Sequence, residues 1–221
     1  MIKVVVFDLD DTLFPEFEYV KSGFREVAKE ISAWVKKDSE SIYEALVNIF
    51  KTDSIKTFNR VLEKYNYDYS NDDILRLIYT YRTHTPSIRY FDDALSTIEQ
   101  LKSKDLKIGI ITDGYSISQH KKLYALGAHD IFHKIVVSDD IGRNFWKPHK
   151  ITYKIIKNYF DVDYSEMIYV GDNELKDFKG ANDLGIETIK INRNNDSKAH
   201  KLISCRAKYQ ITDLYSLTKF I

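Results

Sequence analysis

Apolar and polar positions alternate between two rhythms along most of the chain. Short β-branched runs stand at residues 4–7, 107–111, 134–137, 167–170 and 187–191, each closing in a polar or glycine-containing loop. Between them, residues 92–103, 116–126, 149–158 and 175–184 carry the 3.6-residue period of amphipathic helices. Strands alternating with helices predict a parallel α/β sheet, and strands that are apolar almost without interruption predict one covered on both faces. A last run at 208–211 predicts a further short strand before a terminal helical stretch, and the polar segment 192–206 reads as a loop or frayed helix.

One region departs from this rhythm. From about residue 17 to 81 there is no strand pattern, only helical periodicity studded with Trp34, Tyr43, Phe50, Phe58, Tyr65, Tyr79 and Tyr81. Pro15 and Pro86 lie near its ends, where a fixed φ favours turns over continued helix. The predicted organisation is an α/β core built from residues 1–14 and 89–221, with an all-helical domain at 15–88. The aromatic residues there are read as a small helical core in preference to a substrate-stacking surface.

Composition narrows the function classes. Lys plus Arg and Asp plus Glu both total 33, so no net field draws the chain to nucleic acid or anionic lipid. The basic residues Lys198, Lys201, Arg206 and Lys208 read as a solvated loop. Cys205 is the single cysteine, which rules out an intrachain disulfide, and the six histidines form no spaced zinc pattern. The opening apolar run is too short for a membrane span or a signal peptide. A cytoplasmic protein with neither nucleic-acid nor membrane partners is expected.

The candidate chemistry gathers where the apolar runs end. In VVVFDLDDTLF, a strand continuing to its tip would put Asp8 and Asp10 on one side and Leu9 on the other. Two carboxylates would then face one volume beyond the carboxyl ends of the strands, where parallel sheets bind ligands. Their repulsion calls for a proton or a cation, and Mg²⁺ suits an oxygen-rich, hydrated site. Strand-end aspartates also form turns, the role given to Asp11. Later runs end in Thr112 with Gly114 close behind, in Lys147 before a helix whose first turn Pro148 would set, and in Asp172 with Asp177 at the following helix start.

These segments, D8-L-D-D-T12, T112-D-G, K147-P and G171-D-N-E-L-K-D177, resemble in order and setting the four motifs of the haloacid dehalogenase superfamily. The resemblance spans nearly the whole chain, and the helical insertion looks like the C1-type cap of subfamily I. It implies a Rossmann-like core and a Mg²⁺-dependent phosphatase acting on a small phosphorylated metabolite. Asp8 would be the nucleophile and Asp10 the acid and base. Asp8 and Asp172 would ligate the metal by side chain, with the Asp10 backbone carbonyl as third protein ligand. Thr112, Asp113, Gly114 and Lys147 would hold the phosphoryl group, and Asn173 and Asp177 would support the site, Asp177 by orienting Lys147 or a metal-bound water.

Asp113 stands where the family more often has asparagine, adding a negative charge beside the expected phosphate while leaving its backbone amide able to donate. Arg82, His84, Arg143, Asn144 and Trp146 are candidates for substrate selection. A β-phosphoglucomutase-like phosphomutase and a noncatalytic binding protein on the same fold are the alternatives. A phosphonatase would need a Schiff-base lysine, for which Lys21, Lys29 and Lys36 are available. The sequence sets neither the substrate nor the oligomeric state.

Overall fold

A computed structural model describes residues 1–193 and 202–221, so Lys198 and Lys201 lie outside the described residues. The chain forms two compact units, residues Met1–Pro15 with Arg89–Ile221, and residues Glu16–Ile88.

The first unit is a six-stranded, wholly parallel sheet of β1 (Val4–Phe7), β2 (Lys107–Thr112), β3 (Lys134–Val137), β4 (Met167–Gly171), β5 (Glu187–Ile191) and β6 (Tyr209–Ile211), in the order β3-β2-β1-β4-β5-β6. β1 is central because all four of its residues are fully buried, which only a strand covered on both faces allows. Val4 and Val6 pack on one face with Ile111, Tyr153, Ile156, Tyr169 and Phe178. The strand order runs outward in opposite directions from β1, the topology that opens a crevice at the carboxyl edge.

The helical unit comprises α1 (Glu16–Val35), α2 (Ser39–Thr52), α3 (Thr57–Lys64) and α4 (Asn71–Thr83). Val20, Phe24, Val27, Ala28 and Ile31 form one stripe of α1, packed on Ile42, Ala45 and Leu46 of α2 and on Val61, Leu62 and Leu77. Asp38 caps α2 by accepting from the Ser41 N–H, and Ser70 with Asp73 forms a capping box on α4. The aromatics largely belong to this core: Phe24 meets Phe50 at 5.5 Å and Phe58 at 6.1 Å, and Trp34 stacks on Tyr67 at 5.7 Å. Tyr79 is the exception, with its ring exposed.

The remaining helices are α5 (Asp92–Ser103), α6 (Ser116–Ala125), α7 (Ala128–Ile131), α8 (Ile151–Phe160) and α9 (Phe178–Asn182). Several details differ from the sequence reading, the first being the continuation of β1 toward Asp10. β1 stops at Phe7, and Asp8–Phe14 closes a compact loop in which Leu13 N–H donates to the Leu9 carbonyl and Asp11 N–H to that of Phe14, both at 2.9 Å. Asp11 takes the left-handed conformation there (φ 53°), as a turn aspartate can. α8 begins at Ile151, since residues 146–149 are used in a turn closed by His149 N–H on the Trp146 carbonyl; Pro148 therefore precedes the helix instead of opening it. α9 is shorter than the 175–184 pattern because Asn173–Asp177 forms a hydrogen-bonded turn, and the C-terminal segment Leu214–Phe220 is 3₁₀. No described helix is long and apolar enough to cross a membrane.

Candidate active site

Asp8, Thr112 and Asp172 all lie at the carboxyl edge of the sheet because β1, β2 and β4 are adjacent and in register. Asp8 is 1% exposed, and its backbone N–H extends the β1–β4 pairing to the Val170 carbonyl at 2.8 Å. Its Oδ1 accepts from Lys147 Nζ at 2.5 Å, while Oδ2 is buried with no hydrogen-bond partner among the described residues. A buried, unmatched carboxylate oxygen is costly unless something positive meets it.

Lys147 is held from three sides. Its Nζ donates to Asp8, to Asp177 Oδ1 at 2.7 Å and to Tyr169 Oη at 2.9 Å, with both Lys147 and Asp177 side chains fully buried. Burial works against the ammonium, but the Asp177, Asp8 and Asp113 carboxylates outweigh it and keep its pKa well above the ordinary value. Asp177 is fixed in turn by Asn173 N–H on Oδ2 (2.9 Å), while Tyr153 Oη donates to its backbone carbonyl (2.6 Å). Gly171 leaves room for this carboxylate, since a Cβ there would sit 2.5 Å from Asp177 Oδ2.

Asp8, Asp172 and Asp177 each bring a carboxylate oxygen within 4.8 Å of the others. Burial first, then the charges of Asp8 and Asp177, push Asp172 up to about 8. An excess of negative charge, all-oxygen donors and the unmatched Asp8 Oδ2 fit a hard divalent cation. Asp177 is already committed on both oxygens, which leaves Asp8 and Asp172 as the side chains to hold it.

The Asp10 side chain takes hydrogen-bond partners different from those of Asp8. Because β1 ends at Phe7, the loop turns Asp10 toward α6, where Lys122 Nζ donates to Oδ1 at 2.7 Å and Oδ2 at 2.9 Å, and Gln119 Nε2 donates to Oδ2 at 3.0 Å. Asp8 and Asp10 thus each have their own buried lysine, Lys147 for Asp8 and Lys122 for Asp10. The expected metal contact of Asp10 is through its carbonyl, which the side chain's direction leaves unaffected.

Thr112 is fully buried, with its Oγ1 taking a 2.5 Å hydrogen bond from Gln119. The Asp113 carboxylate accepts from the Lys147 backbone N–H (3.0 and 3.2 Å) and from Ser138 Oγ, so its charge is spent tying this loop to that of Lys147. Gly114 follows with φ 139°, a conformation that favours glycine.

The specificity candidates fall in both units. Arg143 lies over the Tyr115 and Trp146 rings at 5.5 and 5.3 Å, Trp146 Nε1 donates to Asp139 at 3.0 Å, and Asn144 is exposed. In the helical unit, Arg82 is in the last turn of α4, and His84 is buried with Nδ1 2.6 Å from the Tyr81 carbonyl oxygen. Lys21 and Lys29 pair with Glu18 and Glu26, and Lys36 donates to the Ala33 carbonyl, so none has the apolar surroundings that favour a Schiff-base amine. The sequence reading missed Gln119, Lys122, Tyr153, Tyr169 and Ser138. Only Gln119 and Lys122 left a trace, as polar residues three apart on a helix that must bury that face.

Fold and carboxylates together define the class: a doubly wound α/β protein with an oxygen-rich, cation-attracting site at the carboxyl edge of its sheet. The family profile of the haloacid dehalogenase-like hydrolases matches residues 5–191. The glyceraldehyde 3-phosphate phosphatase of Methanocaldococcus jannaschii is 34% identical over 196 residues, covering 86% of this chain and 85% of the relative. That of Methanopyrus kandleri is 30% identical over 200 residues, covering 87% and 85%. The crystal structure of a HAD phosphatase from Thermococcus onnurineus superposes with a TM-score of 0.65 at 25% identity, covering 99% of this chain and 97% of that one. The chain belongs to the haloacid dehalogenase-like hydrolases.

Proposed function

We propose that this hydrolase is a Mg²⁺-dependent phosphatase that transfers the phosphoryl group of a small phosphorylated metabolite to Asp8 and then to water, with triose phosphates the first substrates to test. The observation that carries this reading is the Asp8 carboxylate: buried at the sheet edge, held on one oxygen by Lys147 and unmatched on the other beside Asp172. The relatives named as glyceraldehyde 3-phosphate phosphatases support the substrate class.

Asp8 needs no base, since an ionised carboxylate is already a nucleophile. Its oxygen bonds to phosphorus as the ester P–O bond breaks, and the Asp10 carboxyl gives its proton to the departing alcohol oxygen. In the second half, Asp10 as carboxylate takes a proton from water while the water oxygen bonds to phosphorus and the Asp8–phosphorus linkage breaks. Inorganic phosphate leaves, and both aspartates return to their starting forms. Such proton transfers are worth about 10²–10⁴ in rate. The Lys147 ammonium, the Thr112 hydroxyl and the Asp113 and Gly114 amides hold the phosphoryl oxygens and spread their charge. Asp8, Asp172 and the Asp10 carbonyl would hold Mg²⁺, which when bound supplies positive charge to the phosphoryl oxygens and to the carboxylates. In this reading residues 15–88 act as a substrate-selecting cap.

The test is phosphate release from glyceraldehyde 3-phosphate, glycerol 3-phosphate, p-nitrophenyl phosphate and nucleoside monophosphates, with Mg²⁺ or with chelator. Mg²⁺-dependent release that disappears in Asp8→Asn is expected. Undiminished release by that variant, or no release from any of these esters, would overturn the reading.

A further inference from the structure

We propose that Gln119 and Lys122, one face of α6, are positioning residues that clamp the Asp10 carboxylate and single out its Oδ1 as the oxygen that carries the transferred proton. The inference rests on the role given to Asp10 above.

The three residues are largely buried, Asp10 at 9%, Lys122 at 4% and Gln119 at 1% exposed. A carboxylate offers about four acceptor sites, two on each oxygen. Lys122 takes one on each oxygen and Gln119 takes the second on Oδ2, so among the described residues the open site is on Oδ1. A proton given to a leaving alcohol, or taken from water, therefore travels on Oδ1.

Charge neutralisation alone would need only Lys122. Gln119 adds no charge, yet the same amide nitrogen donates to Thr112 Oγ1 and to Asp10, joining the proton-transferring carboxylate to the hydroxyl assigned to the phosphoryl group. The fold makes room for that amide: a Cβ on Gly114 would lie 2.9 Å from Gln119 Cδ. Gln119 and Lys122 stand three residues apart, so they share a face of α6 and meet the carboxylate together. A fixed carboxylate matters because small misplacement of a catalytic group costs large factors in rate.

The clamp makes a prediction that a purely structural ion pair does not. The first half-reaction of p-nitrophenyl phosphate releases a stable phenolate that needs no proton, whereas glycerol 3-phosphate releases an alkoxide that does. Rapid-mixing measurement of that half-reaction at one pH compares wild type, Lys122→Met, Lys122→Arg, Gln119→Leu and Asp10→Asn. Asp10→Asn and Lys122→Met should each lose at least about tenfold more on glycerol 3-phosphate than on p-nitrophenyl phosphate. Lys122→Arg should recover part of the difference, and Gln119→Leu should show the same split at smaller size. Should Lys122→Met fail to fold by circular dichroism, Gln119→Leu carries the test. Equal losses on both substrates in the clamp variants, with the split intact in Asp10→Asn, overturn the clamp alone. No split in Asp10→Asn overturns the role of Asp10 and the clamp with it.

Discussion

Removing the charge of Asp172 should change how stability depends on pH when no divalent cation is present. The carboxyl is held at about 8 in the folded chain, by burial and then by Asp8 and Asp177, against an ordinary value of 3.8. Between those values the unfolded chain has released the proton and the folded chain keeps it. The unfolded state then binds about one proton fewer, so stability falls as pH rises through this window, by about 1.4 kcal/mol per pH unit at most. From pH 5 to 8 the loss reaches a few kcal/mol. Asp172→Asn cannot titrate and should lose this slope. Urea unfolding midpoints at pH 5, 6, 7 and 8 in EDTA measure it, and the difference between the two proteins reports Asp172 together with the neighbouring Asp177, whose carboxyl burial also raises. His133, which burial holds below its ordinary value, affects both proteins alike. Added Mg²⁺ should stabilise wild type more at pH 8 than at pH 5, because the bound form needs the carboxylate ionised. Parallel pH profiles for wild type and variant in EDTA would refute the reasoning.

Three further outcomes follow from the packing and the ion pairs. Asp177→Asn takes one of two direct carboxylate partners from Lys147 and should cost about 2–3 kcal/mol in urea unfolding, with a fall in kcat larger than the change in KM. Gly180→Ala would place a Cβ 2.3 Å from the Pro148 carbonyl oxygen, a backbone atom that cannot rotate away, and should lower the unfolding midpoint by about 1–3 kcal/mol. Leu46→Ala in the helical core should cost about 2–5 kcal/mol, read in the same way.

Much of the fold was legible because its strands are buried on both faces. Residues 4–7, 134–137 and 187–191 match the observed β1, β3 and β5 bounds, and the absence of strand pattern across 17–81 matched four helices. Apolar runs bounded by polar loops record burial directly, so they survive translation into structure. What was not legible depends on side-chain direction. Alternation placed Asp8 and Asp10 on one side but could not show their separate partners, because the strand ends one residue before Asp8 and the loop sends Asp10 to Lys122. Likewise Asp113 read as an unwelcome charge, whereas it serves Ser138 and the Lys147 backbone, residues distant in sequence. Tyr153 and Tyr169 gave no signal in the sequence, because nothing in a strand or helix pattern says where a hydroxyl ends. Order and spacing thus revealed which residues converge on the sheet edge, but not the hydrogen bonds that divide their labour.

The central claim is that Asp8 takes the phosphoryl group. Rapid quenching of wild type turning over glyceraldehyde 3-phosphate with Mg²⁺, followed by borohydride reduction and peptide mass spectrometry, tests it directly. An acyl phosphate on Asp8 would be reduced to homoserine at position 8, and the account predicts that product in wild type and its absence in Asp8→Asn. Turnover of the substrate with no reduced residue at position 8, or with the reduced residue elsewhere, would contradict it.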